Sequence, residues 1–226
     1  MDRSLYHNAL YPLQDTVLSL VVELDLPFYL TGGTALSRHY LNHRYSDDLD
    51  LFVNSHPDFR GLVDAIEAGF KDKQLTYQAI TRSADFVRLQ VSGTDDTVLK
   101  VDLVNDLVCH IGEFERSPQL GLVDNVFNIL SNKISALPRL AIKDFADIVF
   151  IARKYTFNWK VLIGEAFQKD EWVNPLDLAR YFAAVPPNRF ELIQWIEPVN
   201  VSEIILSCQK IADEIILGAD NSLAQK

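Results

Sequence analysis

From Asp48 to Val53 the sequence reads D-L-D-L-F-V. A strand sends successive side chains to opposite faces. Asp48 and Asp50 then share one face, roughly 6–7 Å apart at their bases, while Leu49 and Leu51 share the other. The chain must therefore build a sheet with one covered face and one face that tolerates paired carboxylates. Two like charges on one face cost stability or raise one pKa. A hard divalent cation with oxygen ligands removes that conflict. Aspartates at a strand entry are also ordinary solvated turn residues, and Asp47 is read as part of the preceding turn.

A third carboxylate is available in "LKVDLV". Leu99, Val101 and Leu103 fall on one face; Lys100, Asp102 and Val104 fall on the other. If this strand neighbours the first, Asp102 sits across from Asp48 or Asp50, with side-chain bases about 5 Å apart. Three converging acids suit a two-metal site that clamps a polyphosphate and activates an attacking oxygen. An EF-hand loop does not fit, because Phe52 and Val53 stand where a third ligand and a glycine belong. A phosphatase-type DxD follows an apolar strand, whereas here the apolar run follows the acids. A glycosyltransferase DxD at a strand end stays open.

Two periods divide the rest of the chain. In "SLYHNALYPLQDTVLSLVVELD", Tyr6, Leu10, Leu13, Val17, Leu20 and Leu24 share one helical face, with an interruption near Pro12. "PFYLTGG" reads as a short strand running into a glycine turn, and "TALSRHYLNHR" as a helix capped by Thr34. "PDFRGLVDAIEAGF" is helical. "LTYQAITRSADFVRLQVSG" is a β-hairpin, and "GTDD" is the turn into the "LKVDLV" strand. From Leu122 onward only helices are read: "LVDNVFNILSNKISAL", "KDFADIVFIARKY", "WKVLIGEAFQKD", "NPLDLARYFAAV", "NRFELIQWIEP" and "VSEIILSCQKIADEIIL". The polar "GEFERSPQLG", residues 112–121, reads as a linker between the two parts or as a loop within one compact body.

The chain has 226 residues, with 31 acidic and 21 basic side chains and a formal charge of -10. An acidic chain does not collect on nucleic acid through bulk electrostatics, so a polynucleotide would need a local basic patch. No apolar run reaches the roughly 18 residues of a membrane span, and the N-terminus lacks a signal-peptide layout. The expectation is a cytoplasmic protein that does not enter a membrane. Cys109 and Cys208 read as two ordinary buried thiols.

Gly32 and Gly33 fall between a strand and a helix, where phosphate can approach the backbone and the helix N-terminus favours anions. Thr34 adds a hydroxyl. No GK[ST] follows, so this is not a Walker loop. His39 and His43 echo a zinc HExxH motif, but Tyr40 stands where its glutamate belongs; they read as surface or core histidines. Arg38 and Arg44 are candidates to bind phosphate or the acidic cluster.

Taken in order, "GGTALSRHYLNHRYSDDLDLFV" resembles the start of the AbiEii/AbiGii toxin nucleotidyltransferases, a branch of the DNA polymerase beta nucleotidyltransferase superfamily. Gly32, Gly33 and Thr34 match the superfamily's turn, Asp48 and Asp50 its DxD, and Asp102 its third acid. "NKISALPRLAIKDFADIVFI" resembles the family's later motif through Lys133, Arg139, Lys143, Asp144 and Asp147.

The resemblance implies an α+β fold: a nucleotidyltransferase-type mixed sheet flanked by helices (1–115), then an all-helical part (116–226) that completes the active-site cleft. It implies transfer of a nucleoside monophosphate from an NTP to an RNA acceptor, tRNA in some members, or to a protein. Mg2+ or Mn2+ serves as the metal, and a cognate antitoxin is a partner. Asp48, Asp50 and Asp102 would hold metal, with Asp102 also assisting as a base. Gly32, Gly33, Thr34, Arg38, Ser46 and Lys133 would bind nucleotide, and Asp144 would support the later motif. A non-catalytic nucleotide- or partner-binding protein on the same fold is the alternative, beside the glycosyltransferase.

Overall fold

A computed structural model describes residues 3–93, 96–106 and 109–224. Thr94 and Asp95 of the expected "GTDD" turn lie outside the described residues. The chain forms two compact units: residues 1–39 with 45–125, and residues 40–44 with 126–226.

The first unit is built on a mixed sheet of seven strands in the order β3-β4-β5-β2-β1-β7-β6. These are β1 (Tyr29–Thr31), β2 (Leu49–Asn54), β3 (Thr76–Arg82), β4 (Phe86–Ser92), β5 (Val98–Asp106), β6 (Glu115–Ser117) and β7 (Gly121–Val123). β2 and β5 run parallel in the middle. β4 pairs antiparallel with β5, and β1 antiparallel with β2. The alternation in β2 is as the sequence demands: Leu49, Leu51 and Val53 are buried, and the residues between them are partly exposed. Leu30, Leu51, Leu103 and Val87 form one buried apolar row across four strands.

Residues 3–23 are helical, and Tyr6, Leu10, Leu13, Val17 and Leu20 are buried along one face. The interruption near Pro12 is a change of register, from a π-helical stretch (Tyr6–Leu10) to the α-helix Tyr11–Glu23. Pro12 stands in that helix's first turn, where its missing N–H costs little. Leu24 departs from the expected face because it lies past the helix end, and it is 40% exposed. The helix Phe59–Asp72 is capped by the Asp58 carboxylate, which accepts from the Gly61 N–H.

The stretch 112–121, read as a linker or a loop, contributes β6 and the start of β7 to an edge hairpin. β6 pairs with β7, and β7 runs parallel to β1. The first unit therefore extends to Asn125. Leu122 and Val123, read as the start of a helix, are strand residues.

The second unit contains the helices Val126–Ser135, Ile142–Lys154, Trp159–Lys169, Pro175–Ala184 and Val201–Leu217. Ile142–Lys154 is its buried axis: Phe145, Ile148, Val149 and Ile151 are 2% exposed or less. Trp159 is fully buried, and its indole N–H donates to Glu214. Asn174 and Asn158 cap helices by accepting backbone N–H groups. "NRFELIQWIEP" forms only a short 3-10 turn, Pro187–Leu192, because Pro186 and Pro187 open it and the chain is extended at Ile193. Cys208 is buried, which pushes its thiol up to about 12, whereas Cys109 is only half-buried. No helix among the described residues is long and apolar enough to cross a membrane.

Candidate active site

β1 ends at Thr31, and Gly32 follows with φ at +68°. A Cβ on Gly32 would lie 2.3 Å from Asp50 Oδ2. Only glycine can occupy this backbone conformation cheaply and leave room for that carboxylate. The register explains the approach: Thr31 faces Asp50, Asp50 faces Asp102, and Asp102 faces Arg88. Four neighbouring strands thus contribute one row, Thr31–Asp50–Asp102–Arg88, on the face opposite the apolar row. Asp102 is opposite Asp50, one of the two positions foreseen. Asp48 precedes β2, and its side chain meets Lys100 from β5.

The carboxylates are not left to repel one another. Arg88 donates from Nε and Nη2 to the two oxygens of Asp102, at 2.7 and 2.8 Å. That bond, with the nearby Asp48 and Asp50 charges, holds the guanidinium above its ordinary pKa. Lys100 Nζ lies 2.6 Å from Asp48 Oδ2 and 3.9 Å from Asp102 Oδ2. Asp47 points elsewhere, accepting from the Tyr6 hydroxyl at 2.5 Å. Deeper in the same unit, Asp124 is fully buried and accepts from Thr31 Oγ1 at 2.5 Å, with His110 Nε2 at 2.8 Å. That bond fixes the end of β1 just before Gly32.

The donor set suits a hard cation. Asp50 and Asp102 are paired across β2 and β5 on one sheet face, Asp48 directly precedes β2, and Asp48 and Asp102 already share one positive charge. Among the described residues no group of three or more His, Cys, Asp or Glu side chains is placed so that it could hold a metal ion as it stands. Lys100 occupies that common ground.

Several expected nucleotide ligands are committed to other bonds. Thr34 is fully buried inside the helix that starts at Gly32, and its hydroxyl donates to the Asp48 carbonyl. It pins the DxD loop and does not cap the helix; Thr31 holds the cap position. Arg38 donates to Asp15 at 2.6 Å and to Gln14 at 3.2 Å, and lies over the Tyr11 ring. Ser46 is buried, and its carbonyl accepts from Gln14. Both therefore tie to the first helix. Both oxygens of Asp102 accept from Arg88, which opposes its expected service as a base.

The later-motif residues gather inside the second unit. Asp147 is fully buried and accepts Nε and Nη2 of Arg44, both at 2.7 Å. His43 Nε2 is 2.8 Å from the same carboxylate. Lys133 Nζ lies 2.6 Å from Asp144 and 2.8 Å from Asp147. Burial alone would raise the Asp147 pKa, but Arg44 and Lys133 outweigh it and hold the group well below the usual range. Burial works against the Lys133 ammonium too, and Asp147 and Asp144 reverse it to a raised value. Burial wins at His43, whose pKa is lowered despite Asp147. Its Nδ1 has no hydrogen-bond partner among the described residues, nor does Asp144 Oδ2, which has Arg139 at 3.7 Å.

Arg88 and Asp124 are the neighbours in the sheet unit that sequence reasoning did not name, and Arg44, a candidate for phosphate or the acidic cluster, is instead spent on Asp147 in the helical unit. Alternation put Lys100 on the acid face, and a register count through the hairpin could have found Arg88. His39 bonds Glu115 at 2.9 Å, so the two histidines share no ligand set.

The sequence model described as "Nucleotidyl transferase AbiEii toxin, Type IV TA system" matches residues 18–192, more than half of the chain. Among curated protein sequences none matches. MenT4, a nucleotidyltransferase toxin from Mycobacterium tuberculosis H37Rv, superposes with a TM-score of 0.67 at 18% identity, over 92% of this chain and 82% of that one. JHP933 from Helicobacter pylori superposes with a TM-score of 0.62 at 19% identity, over 95% and 93%. At such identities these likenesses bear on the fold, and they agree with the α+β class expected from the sequence.

Proposed function

Because the chain belongs to the AbiEii nucleotidyltransferase toxin family, we propose that it transfers a nucleoside monophosphate from an NTP to an RNA acceptor. It does so in the cytoplasm, with Mg2+ or Mn2+, under control of a cognate antitoxin. The observation that carries this reading is the row Thr31–Asp50–Asp102–Arg88 beside Gly32.

Asp48, Asp50 and Asp102 are the residues that would hold the metal. When bound, the cation neutralises polyphosphate charge and lowers the pKa of an attacking oxygen. The remaining work falls to the chain. Gly32 lets the Asp50 carboxylate lie against the backbone turn. Thr34 holds the Asp48 loop through its carbonyl. Arg88 fixes the plane of the Asp102 carboxylate by a two-point bond, so Asp102 serves as a held ligand and the base function is given up. The resemblance assigns Lys133 to the phosphates and Asp144 to the later motif. In the state described, each is the other's ion-pair partner.

The test is incubation with labelled NTPs, Mg2+ and total RNA. Label should enter RNA with wild type and not with Asp48→Ala, whose thermal unfolding should stay close to wild type. Label in protein only would redirect the acceptor. No label in any acceptor, with Asp48→Ala indistinguishable from wild type, would overturn the proposal.

A further inference from the structure

The acid row carries two cations that differ in how firmly they are held. Arg88 makes a two-point bond to Asp102, whose side chain is 9% exposed. Lys100 makes one close contact, to Asp48, and a longer one to Asp102. Its side chain is 33% exposed and that of Asp48 is 41% exposed. Ion pairs this accessible contribute little and exchange readily. The lysine stem is flexible, and its ammonium acts as a point charge without a fixed fork.

We propose that Lys100 is the resident counter-cation of the metal carboxylates, displaced when a divalent ion enters, and that it thereby makes metal binding depend on nucleotide. The inference rests on the nucleotidyltransferase reading above. A bare divalent ion must displace an ammonium that stays tethered on β5, two residues from Asp102, and that repels it at close range. An ion arriving with a triphosphate brings anionic oxygens that receive the displaced ammonium. Lys100 therefore penalises the bare metal and favours the metal–nucleotide complex, and the coupling is reciprocal.

Mn2+ binding, followed by the loss of the free-ion paramagnetic resonance signal, tests this without turnover. Lys100→Met should bind bare Mn2+ about five- to fifty-fold tighter than wild type, as expected for removing a nearby charge of like sign. A non-hydrolysable NTP should then improve Mn2+ affinity less in the variant than in wild type. Lys100→Arg should stay near wild type, and Lys71→Met, which removes a remote exposed charge, should not tighten binding. Lys100→Gln serves in place of Lys100→Met if the latter does not fold.

Unchanged or weaker bare-metal affinity in the charge-removing variants Lys100→Met and Lys100→Gln overturns the proposal, as does an equal gain from Lys71→Met. If wild type binds Mn2+ in an Asp48-dependent way and the charge-removing Lys100 variants bind no tighter, the lysine inference fails and the metal reading stands. If neither wild type nor variant binds Mn2+, with or without the NTP, the metal reading itself falls.

Discussion

The charge cluster on the sheet and the one in the helical unit differ in burial, and burial separates their physics. On the sheet, Asp48 pairs with Lys100 at 41% and 33% side-chain exposure. In the helical unit, Asp147 and Arg44 pair at 0% and 2%. The Asp48–Lys100 pair can trade partners because water screens both charges. The Asp147–Arg44 pair cannot: a charge stripped of its partner in a dry interior carries its desolvation penalty alone. A chain that must admit and release a charged ligand gains from the first arrangement, and one that must fix the geometry of helices gains from the second.

Removing the buried hub should give the largest effect. Asp147→Ala leaves Arg44, Lys133 and His43 without their shared carboxylate, and the expected loss is about 3–5 kcal/mol. Urea unfolding measures it. A loss below about 1 kcal/mol, the scale of an exposed pair, would erase the contrast between the clusters.

Gly32→Ala should come next. Its φ is +68°, and the new Cβ would meet Asp50 Oδ2 at 2.3 Å. The left-handed conformation and the displaced carboxylate together should cost about 1–3 kcal/mol. This places an effect of intermediate size in the exposed cluster, through sterics and not through charge. Equal stability of the variant in urea would mean that Asp50 moves freely.

The smallest effect is a slope with pH. His43 has a lowered folded pKa, so the unfolded chain takes up a proton first as pH falls. Its contribution to stability is present above the unfolded value near 6.5 and is lost as pH drops through that value. The depressed Asp147 keeps its own contribution until far lower pH. Melting temperature should therefore fall between pH 7.5 and 5.5. His43→Gln should flatten that fall, and an unchanged slope would clear His43 of the role.

Legibility in the sequence followed the range of each interaction. The period of two in β2 and β5 settles which residues share a face, so the sequence puts Asp102 across from Asp48 or Asp50 if the strands are neighbours, and the register selects Asp50. The hairpin was readable too, but its irregularity between Ala79 and Thr81 is not written in local letters. The resemblance assigns Arg38 and Ser46 to the nucleotide. Their actual partner, Gln14, lies on the preceding helix. β6 and β7 span only Glu115–Ser117 and Gly121–Val123, too short for any period to register. The Asp147 hub has no local signature, because Arg44 and His43 meet it from more than a hundred positions away.

The short segment 40–44 carries a consequence for biogenesis. It belongs to the helical unit, although the residues on either side of it in sequence belong to the other. Arg44 leaves the ribosome 103 residues ahead of Asp147. At translation rates of about 5–20 residues per second, the guanidinium waits on the order of five to twenty seconds for its counter-ion. Until Ile142–Lys154 has emerged, the connection between the glycine turn and the DxD strand has nothing to dock into. The nascent chain therefore cannot finish the helical unit, whatever the state of its sheet, and a chain truncated before Asp147 would be born with that connection unsettled.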